Sequence, residues 1–564
     1  MTSNGPERSG LPARLARSLK ESAAELVACV FAVGWFHHLG YGPTLHPTHI
    51  EWMLRDDWAA YLWGFLFYRN APWSLPLGAT PDLFHPFGTS VGFTDANPWM
   101  AVLFRALSPQ LALRFQYSGI WFLLCYVLQA LFGTRITRAF TEDRVRQALG
   151  GCLFAVTPLL PSRSAHIALC AFFFVTAGLW LYLAPVSSRR EAGRRVAVAV
   201  ALLVWAAGTH GYLSVMLLTL TMAVWLRLWR EDRFAPREAV GAGALSVLAT
   251  VLTYWLFGYV GWKQTDLTAE GFGQFAGDLT ALVNPQGWSR FVPPLPYFPR
   301  QWEGFSYLGT GVFLLLGVRL VQAAREPRRT LAQLARLGPL LVVLALMWLY
   351  SLSSHVAYKG QLVLSLEWLY ADLGRLTGIF RSSGRFSWPL HLALVAAGIW
   401  AACALSSRWL GRALLVAALW LQVAELDPSQ LDFTPVPLRP LRHPAWRTVS
   451  ADYRHLRLVP LHLQWVCRYD AFLVNRLSFE AYRRHLTFNS GNFMRKEPGM
   501  QALCEKGLAP DEALDPATIY VIDPAFAHEF HARGAVCGAI DDLGACVAGD
   551  RPTRLAAALR ARPF

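Results

Sequence analysis

The sequence predicts a polytopic α-helical membrane protein of about eleven spans that carries a small α/β domain outside the membrane. Three observations predict it. Of 564 residues, 54% are apolar and only 16% charged, against about 25% charged in an ordinary soluble protein. The mean hydropathy is +0.31. The apolar residues gather in long runs over the first 430 or so positions, and the runs then stop while charge rises. A disordered chain, a coiled coil and a simple cytosolic enzyme are excluded. Lys+Arg 52 against Asp+Glu 37 gives +15. Most of that excess lies in loops between apolar runs, so it indicates membrane orientation and not a nucleic-acid partner.

A span needs about 20 mostly apolar residues. The candidate runs are 24–40, 115–132, 148–160, 165–183, 196–207, 212–229, 240–257, 307–321, 337–352, 388–405 and 410–423. Pro158 and Pro161 break the third from the fourth, and Thr209-His210-Gly211 joins the fifth to the sixth. The first run ends in Phe36-His37-His38 without a small-residue cleavage site, so it is expected to stay as an anchor. Alternate loops are rich in arginine: Arg135, Arg138, Arg144 and Arg146, then Arg189, Arg190, Arg194 and Arg195, then Arg325, Arg328 and Arg329. These loops are expected in the cytoplasm. The expected organisation is a cytoplasmic segment 1–21, a membrane domain 22–426 with outer loops 41–113, 258–306 and 353–385, and an extracytoplasmic domain 427–564 in the periplasm of a bacterial inner membrane.

The outer loops hold the chemistry. Loop one opens with Arg55-Asp56-Asp57-Trp58 and an aromatic helix, continues through five prolines, and contains Phe93-Thr94-Asp95 and a second helix over 99–107. Asp56 and Asp57 stand at a helix N-terminus, where the dipole favours a carboxylate. One of them could take a proton from a sugar hydroxyl; helix capping is the plainer alternative. Loop two carries Trp302-Glu303-Gly304-Phe305. Loop three carries His355 and Lys359 and closes on Arg381-Ser382-Ser383-Gly384-Arg385. The paired guanidiniums of Arg381 and Arg385 suit a phosphate headgroup, or else anchor in ordinary lipid phosphate. Glu303 could bind a sugar hydroxyl or fix its loop by hydrogen bonding. Asp95 has Asx-turn chemistry, and His210 sits at an outer hairpin tip as a cap.

No phosphate-cradling Gly-Lys-Ser/Thr motif, no zinc-like Cys/His spacing and no Gly-x-Ser-x-Gly occur. No acidic residue lies deep in an expected span, which argues against a proton-coupled transporter. In the tail, 456–459 and 518–522 read as strands. Cys467, Cys504, Cys537 and Cys546 permit disulfides there in any of three connectivities. The basic stretch 439–457 suits an anionic glycan or headgroup, or is a solvated face.

Several motifs carry a resemblance over nearly the whole chain: Tyr61-Leu62-Trp63-Gly64, Pro72-Trp73-Ser74-Leu75-Pro76-Leu77-Gly78, His85-Pro86-Phe87-Gly88-Thr89-Ser90, Phe93-Thr94-Asp95, Phe115-Gln116-Tyr117, Asn284-Pro285-Gln286-Gly287-Trp288, Trp302-Glu303-Gly304-Phe305, Ser383-Gly384-Arg385-Phe386 and Ser490-Gly491-Asn492-Phe493. The sequence resembles a family of bacterial polytopic proteins and, at the level of fold, the GT-C superfamily of integral-membrane glycosyltransferases. The resemblance implies inverting transfer from a polyprenyl-phosphate-linked sugar donor to a glycan or glycolipid acceptor on the outer face. It implies Asp56 or Asp57 as base, leaning to Asp56, and Arg381 with Arg385 on the lipid phosphate, with Glu303, Lys359, His355, Asp95 and His210 as further binding candidates. No cofactor is expected. The adjacent Asp-Asp departs from the spaced acidic pair of some superfamily members, which leaves a divalent metal open. The competing readings are a lipid-linked glycan transporter or flippase and a non-catalytic envelope scaffold.

Overall fold

A computed structural model describes residues 11–260, 271–464, 466–492, 504, 506–509 and 511–563. The chain begins with the long helix α1 (Leu11–His38). Loop one follows and holds α2 (Trp58–Asn70), a small ladder of β1 (Ala79–Thr80) with β2 (Thr89–Ser90), and α3 (Pro98–Ala106). Then come α4 (Ser118–Arg138), α5 (Arg144–Ala155), the single turn α6 (Leu159–Ser162), α7 (Phe173–Leu183), α8 (Arg189–Ala207), α9 (Gly211–Arg230) and α10 (Pro236–Leu256). After loop two the chain continues through α11 (Thr310–Arg325), α12 (Pro327–Arg336) and α13 (Gly338–Ser351). Loop three is a hairpin of β3 (His355–Tyr358) and β4 (Gln361–Ser365) with the short helices α14 (Glu367–Tyr370) and α15 (Gly374–Ile379). It leads into α16 (Trp388–Cys403) and α17 (Arg408–Glu425).

The eleven expected spans do not appear as eleven long helices. Among the described residues, four are long and apolar enough to cross a membrane: Ser118–Arg138, Gly211–Arg230, Pro236–Leu256 and Ser383–Cys403. A fifth arises if α12 and α13, bent by 78° at their junction, count as one span. The other expected runs fall in helices that are shorter, more polar or broken. Runs three and four show why. Pro158 and Pro161 lack the N–H that a continuing helix requires, so α5 stops at Ala155, and the stretch Ile167–Leu183 opens with a separate 3₁₀ turn at Ile167–Cys170.

The tail forms a five-stranded sheet of β5 (His455–Val459), β6 (Thr487–Phe488), β7 (Thr518–Ile522), β8 (Ala535–Ile540) and β9 (Leu543–Ala548), in the order β6-β5-β7-β9-β8. β5 runs parallel to β6 and β7, while β9 is antiparallel to β7 and β8. The helices are α18 (Val449–Asp452), α19 (Ala471–Arg483), α20 (Ala527–His531) and α21 (Arg554–Arg560). Disulfides join Cys467 to Cys504 and Cys537 to Cys546, one of the three connectivities the sequence leaves open.

The tail is fused to loop one. Phe84 and His85 donate backbone bonds of 2.6 and 2.9 Å to the Phe488 carbonyl, and Phe488 donates one of 2.8 Å to Asp82, so loop one lies along the β6 edge. Trp63 Nε1 of α2 donates to Asn475 Oδ1 of α19 at 2.6 Å, and Asn475 Nδ2 donates to the Leu54 carbonyl at 2.7 Å. A single apolar core therefore runs from α1 through the helices into the face of the sheet that carries Leu456 and Leu458.

Candidate functional site

Outer loops two and three meet because glycines let their backbones touch. A Cβ on Gly304 would lie 2.6 Å from the Gly277 Cα, and one on Gly384 would lie 2.6 Å from the Gly304 Cα. No side chain fits at either contact. The residues beside these glycines, Glu303 and Arg385, are thereby set face to face. Arg385 Nε and Nη2 donate to the two Glu303 carboxylate oxygens at 2.9 and 2.8 Å, a bidentate fork. Arg163, from the turn after α6, donates to the same carboxylate at 3.0 Å and to the Trp302 carbonyl. The three side chains are buried, with Arg163 1% exposed and Glu303 5%. Burial works against the Glu303 charge, but Arg385 and then Arg163 overcome it and hold the carboxyl far below its usual range. Burial pushes the Arg163 guanidinium down to about 10 against the pull of Glu303.

His166 extends the cluster to loop one. Its Nε2 lies 3.2 Å from Asp57 Oδ2 and 3.9 Å from Glu303 Oε1, and its ring stacks on Trp302. Asn492 Nδ2 donates to Asp57 Oδ1 at 3.2 Å and to the Asp56 carbonyl at 3.3 Å. The α2 start is pinned to the same turn by Trp58 Nε1, which donates to the Ser164 carbonyl at 2.7 Å. Asp57 occupies the N-cap position of α2, yet its side chain makes no capping bond. Capping is thus not what this carboxylate does. Burial raises its pKa, while the His166 bond and charge and the Asn492 bond lower it by more, leaving the group below the usual aspartate value.

Of the expected residues, the structure unites Asp57, Glu303 and Arg385. Asp56, to which the resemblance leans, is exposed, with a left-handed backbone (φ 49°). Arg381 lies over the Phe275 ring at 5.1 Å, and Arg385 over Tyr212 at 4.7 Å. Asp95 is 3.8 Å from His210. His210 Nδ1 accepts from the Tyr212 N–H at 3.2 Å and so caps α9. His355 pairs with Glu367 at 3.0 Å, and Lys359 sits at the exposed tip of the β3–β4 hairpin over Tyr358. Neither makes a described bond to the cluster. Arg163 and His166 were not anticipated. The signal was present as an arginine and a histidine inside Pro161-Ser162-Arg163-Ser164-Ala165-His166 between two apolar runs, where ionisable groups are costly unless used.

Among the described residues no three His, Cys, Asp or Glu side chains form a metal-holding group. Asp56 is exposed, and Asp57 is engaged by His166 and Asn492.

A family model described as "Domain of unknown function (DUF6311)" matches residues 29–427, and one described as "DUF6311 C-terminal domain" matches 445–548. The chain belongs to the DUF6311 family. The boundary between the two DUF6311 models falls between α17 and α18. No curated protein matches the sequence. Two solved structures of an Archaeoglobus fulgidus oligosaccharyltransferase are similar at low levels. One is the archaeal oligosaccharyltransferase AglB in complex with an inhibitory peptide and a dolichol-phosphate: 13% identity, TM-score 0.34, covering 84% of this DUF6311 chain and 65% of that one. The other is the apo form: 14% identity, TM-score 0.38, covering 83% and 64%. The chain therefore spans a little under two thirds of the length of either.

Proposed function

We propose that this DUF6311 protein is an inverting glycosyltransferase of the membrane's outer face, which moves a sugar from a polyprenyl phosphate to an envelope glycan or glycolipid. One observation carries the reading: a carboxylate from position 57 and guanidiniums from positions 163 and 385 share one cluster through His166 and Glu303. In this reading Asp57 is the base. Both its oxygens are held, by His166 and Asn492, which orients the remaining lone pairs. The acceptor hydroxyl oxygen bonds to the anomeric carbon, the carbon–phosphate-oxygen bond breaks with its electron pair leaving on the lipid phosphate, and the hydroxyl proton passes to Asp57. Arg163 and Arg385 place two fixed guanidiniums in the cluster, which can offset phosphate charge as it develops. Arg381, on the same loop as Arg385, supplies a second guanidinium. The membrane is the bacterial inner membrane, with the N-terminus inside and the sheet domain in the periplasm, where its two disulfides are chemically at home.

The test uses purified protein in nanodiscs with lipid extract as donor source, and a deletion strain examined for accumulated polyprenyl-linked sugar. Asp57→Asn is expected to abolish transfer in protein that still folds, and Asp56→Asn to retain most of it. Full activity in Asp57→Asn removes the enzymatic reading and leaves a scaffold held together by the same ion pairs.

A further inference from the structure

We infer that the sheet face carrying His455 and Arg457, where loop one closes over it, is a saccharide-binding subsite that holds the acceptor glycan; its acceptor role rests on the transfer reading above, its ability to bind a sugar does not. A cavity of about 340 Å³ lies over this face, within the range of about 300–1,000 Å³ typical of small-molecule sites. Alternation along the strands decides its floor. Leu456 and Leu458 of β5 send their side chains to the core, and His455 and Arg457 bring the polar groups of β5 to a lining that also includes Leu456, Leu458 and Val459, beside Thr487 of β6 and Thr518 and Tyr520 of β7. One wall is His85-Pro86-Phe87 of loop one, with the His85 and His455 rings stacked at 4.4 Å. Lys506, Glu512 and Asp515 complete the lining.

The chemistry of this lining selects among ligands. Its fixed charges balance: Arg457 and Lys506 against Glu512 and Asp515, with Arg457 paired to Glu512 and Asp515 Oδ2 accepting from Thr518 at 2.5 Å. An apolar ligand would take these groups out of water and offer them no further bonds. A phosphate would meet two carboxylates. A polyhydroxylated ligand needs donors and acceptors together, which planar guanidinium, carboxylate and imidazole groups offer side by side. The imidazole and Phe87 rings give apolar surface for the C–H faces of a sugar ring.

The cavity also adjoins the cluster. Asn489 lines it, and Asn492, three residues on, donates to Asp57, so the two Cα atoms are at most about 11 Å apart. A glycan seated on the sheet and extending along this segment presents its terminal hydroxyl towards the Asp57 carboxylate. The His85-Pro86-Phe87 motif, which transfer chemistry at Asp57 does not use, acquires a role.

Ligand-observed NMR on the full chain in nanodiscs tests this with the methyl glycosides of glucose, galactose, mannose, rhamnose and N-acetylglucosamine. At least one is expected to bind. Binding should weaken by about tenfold in His85→Ala and in Arg457→Met, the effect of losing a bond to a charged group, and persist in Asp57→Asn. Independently of any variant, the bound glycoside should slow carbethoxylation of His85 and His455, read by mass spectrometry. In transfer assays His85→Ala should raise the acceptor KM with kcat nearly unchanged. The subsite is overturned if none of these glycosides binds, if binding is equal in both cavity variants with histidine modification unprotected, or if inorganic phosphate displaces the sugar. A glycoside that binds and protects while Asp57→Asn stays active leaves the subsite standing and removes only its acceptor role.

Discussion

At the scale of single residues the cluster is a balance between burial and charge. Glu303 is the anion that makes two buried arginines tolerable. Removing one partner of a buried pair costs about 3–5 kcal/mol because the other is left uncompensated. Glu303→Gln strands both guanidiniums, so it should lower the thermal midpoint in detergent sharply, whereas Asp56→Asn at the exposed neighbour should leave it unchanged. Arg385→Lys keeps the charge but loses the fork, and is expected to fall between them. Acid should act on the same groups. Asp57 and Glu303 both titrate below their ordinary values, about 3.9 and 4.3 when unfolded. Their contribution is fully present above those values and is lost as pH falls below them. The midpoint should therefore hold steady from pH 8 to about 5 and drop below about 4, less steeply in Asp57→Asn. Asp57 was legible as a candidate from its place at the start of an aromatic helix in loop one, and Glu303 from its place beside the start of the apolar run 307–321. Arg163 and His166 were not, because two prolines made their segment read as a break and nothing more.

At the scale of elements the glycine contacts explain the motifs. Trp302-Glu303-Gly304-Phe305 and Ser383-Gly384-Arg385-Phe386 each place a glycine beside a charge, and the glycines touch so that the charges can meet. Tyr61-Leu62-Trp63-Gly64 and Phe93-Thr94-Asp95 work in the same way: a Cβ on Gly64 would sit 2.0 Å from Thr94 Oγ1. Asn284 builds its own loop, accepting from Gln286 and Leu295 and donating back to Leu295. The sequence thus marks these segments as special without saying whether they serve chemistry or packing, since each contact pairs residues far apart in the chain. Gly384→Ala is expected to destabilise by about 1–3 kcal/mol through forced backbone movement. It should also reduce transfer by misaligning Arg385. Equal stability and activity in this variant would mean that the loops relax freely and that the cluster geometry is not imposed by their packing. Loop three shows the limit of reading by composition. Lys359 reads from the sequence as a further binding candidate beside Arg381 and Arg385. Lys359 and Gly360 adopt left-handed backbone at a hairpin tip, a geometry that fixes the turn and keeps Lys359 exposed.

At the scale of the whole molecule the expected boundary at 427 marks a change of composition but not a break in packing. The strands at 455–459 and 518–522 were readable from their apolar runs. Their dependence on loop one was not, because the pairing of Leu83 with Phe488 spans some four hundred positions and leaves no local periodicity. That pairing covers the β6 edge, which would otherwise present unpaired N–H and C=O groups. Likewise α19 rests on α2 through Asn475 and Trp63, and Tyr482 donates to the Leu113 carbonyl at 3.0 Å. Residues 427–564 expressed alone would expose the α19 face and the β6 edge together. Such a fragment, with both disulfides formed, is expected to unfold without a cooperative transition by circular dichroism and to bind a hydrophobic dye, while the same segment in the full chain melts with the rest. The disulfides do not replace the lost packing, since Cys537–Cys546 closes only a short separation of 9 and short loops contribute least. Restoring 41–113 in trans should recover cooperativity, because that segment contributes both α2 and the 82–85 backbone that pairs with the β6 edge. A fragment that melts cooperatively by itself would make the tail an independent domain merely tethered to the membrane. Its hold on Asp57 through Asn492 would then be a docking contact that opens and closes, and the carboxylate would be oriented only in the closed state.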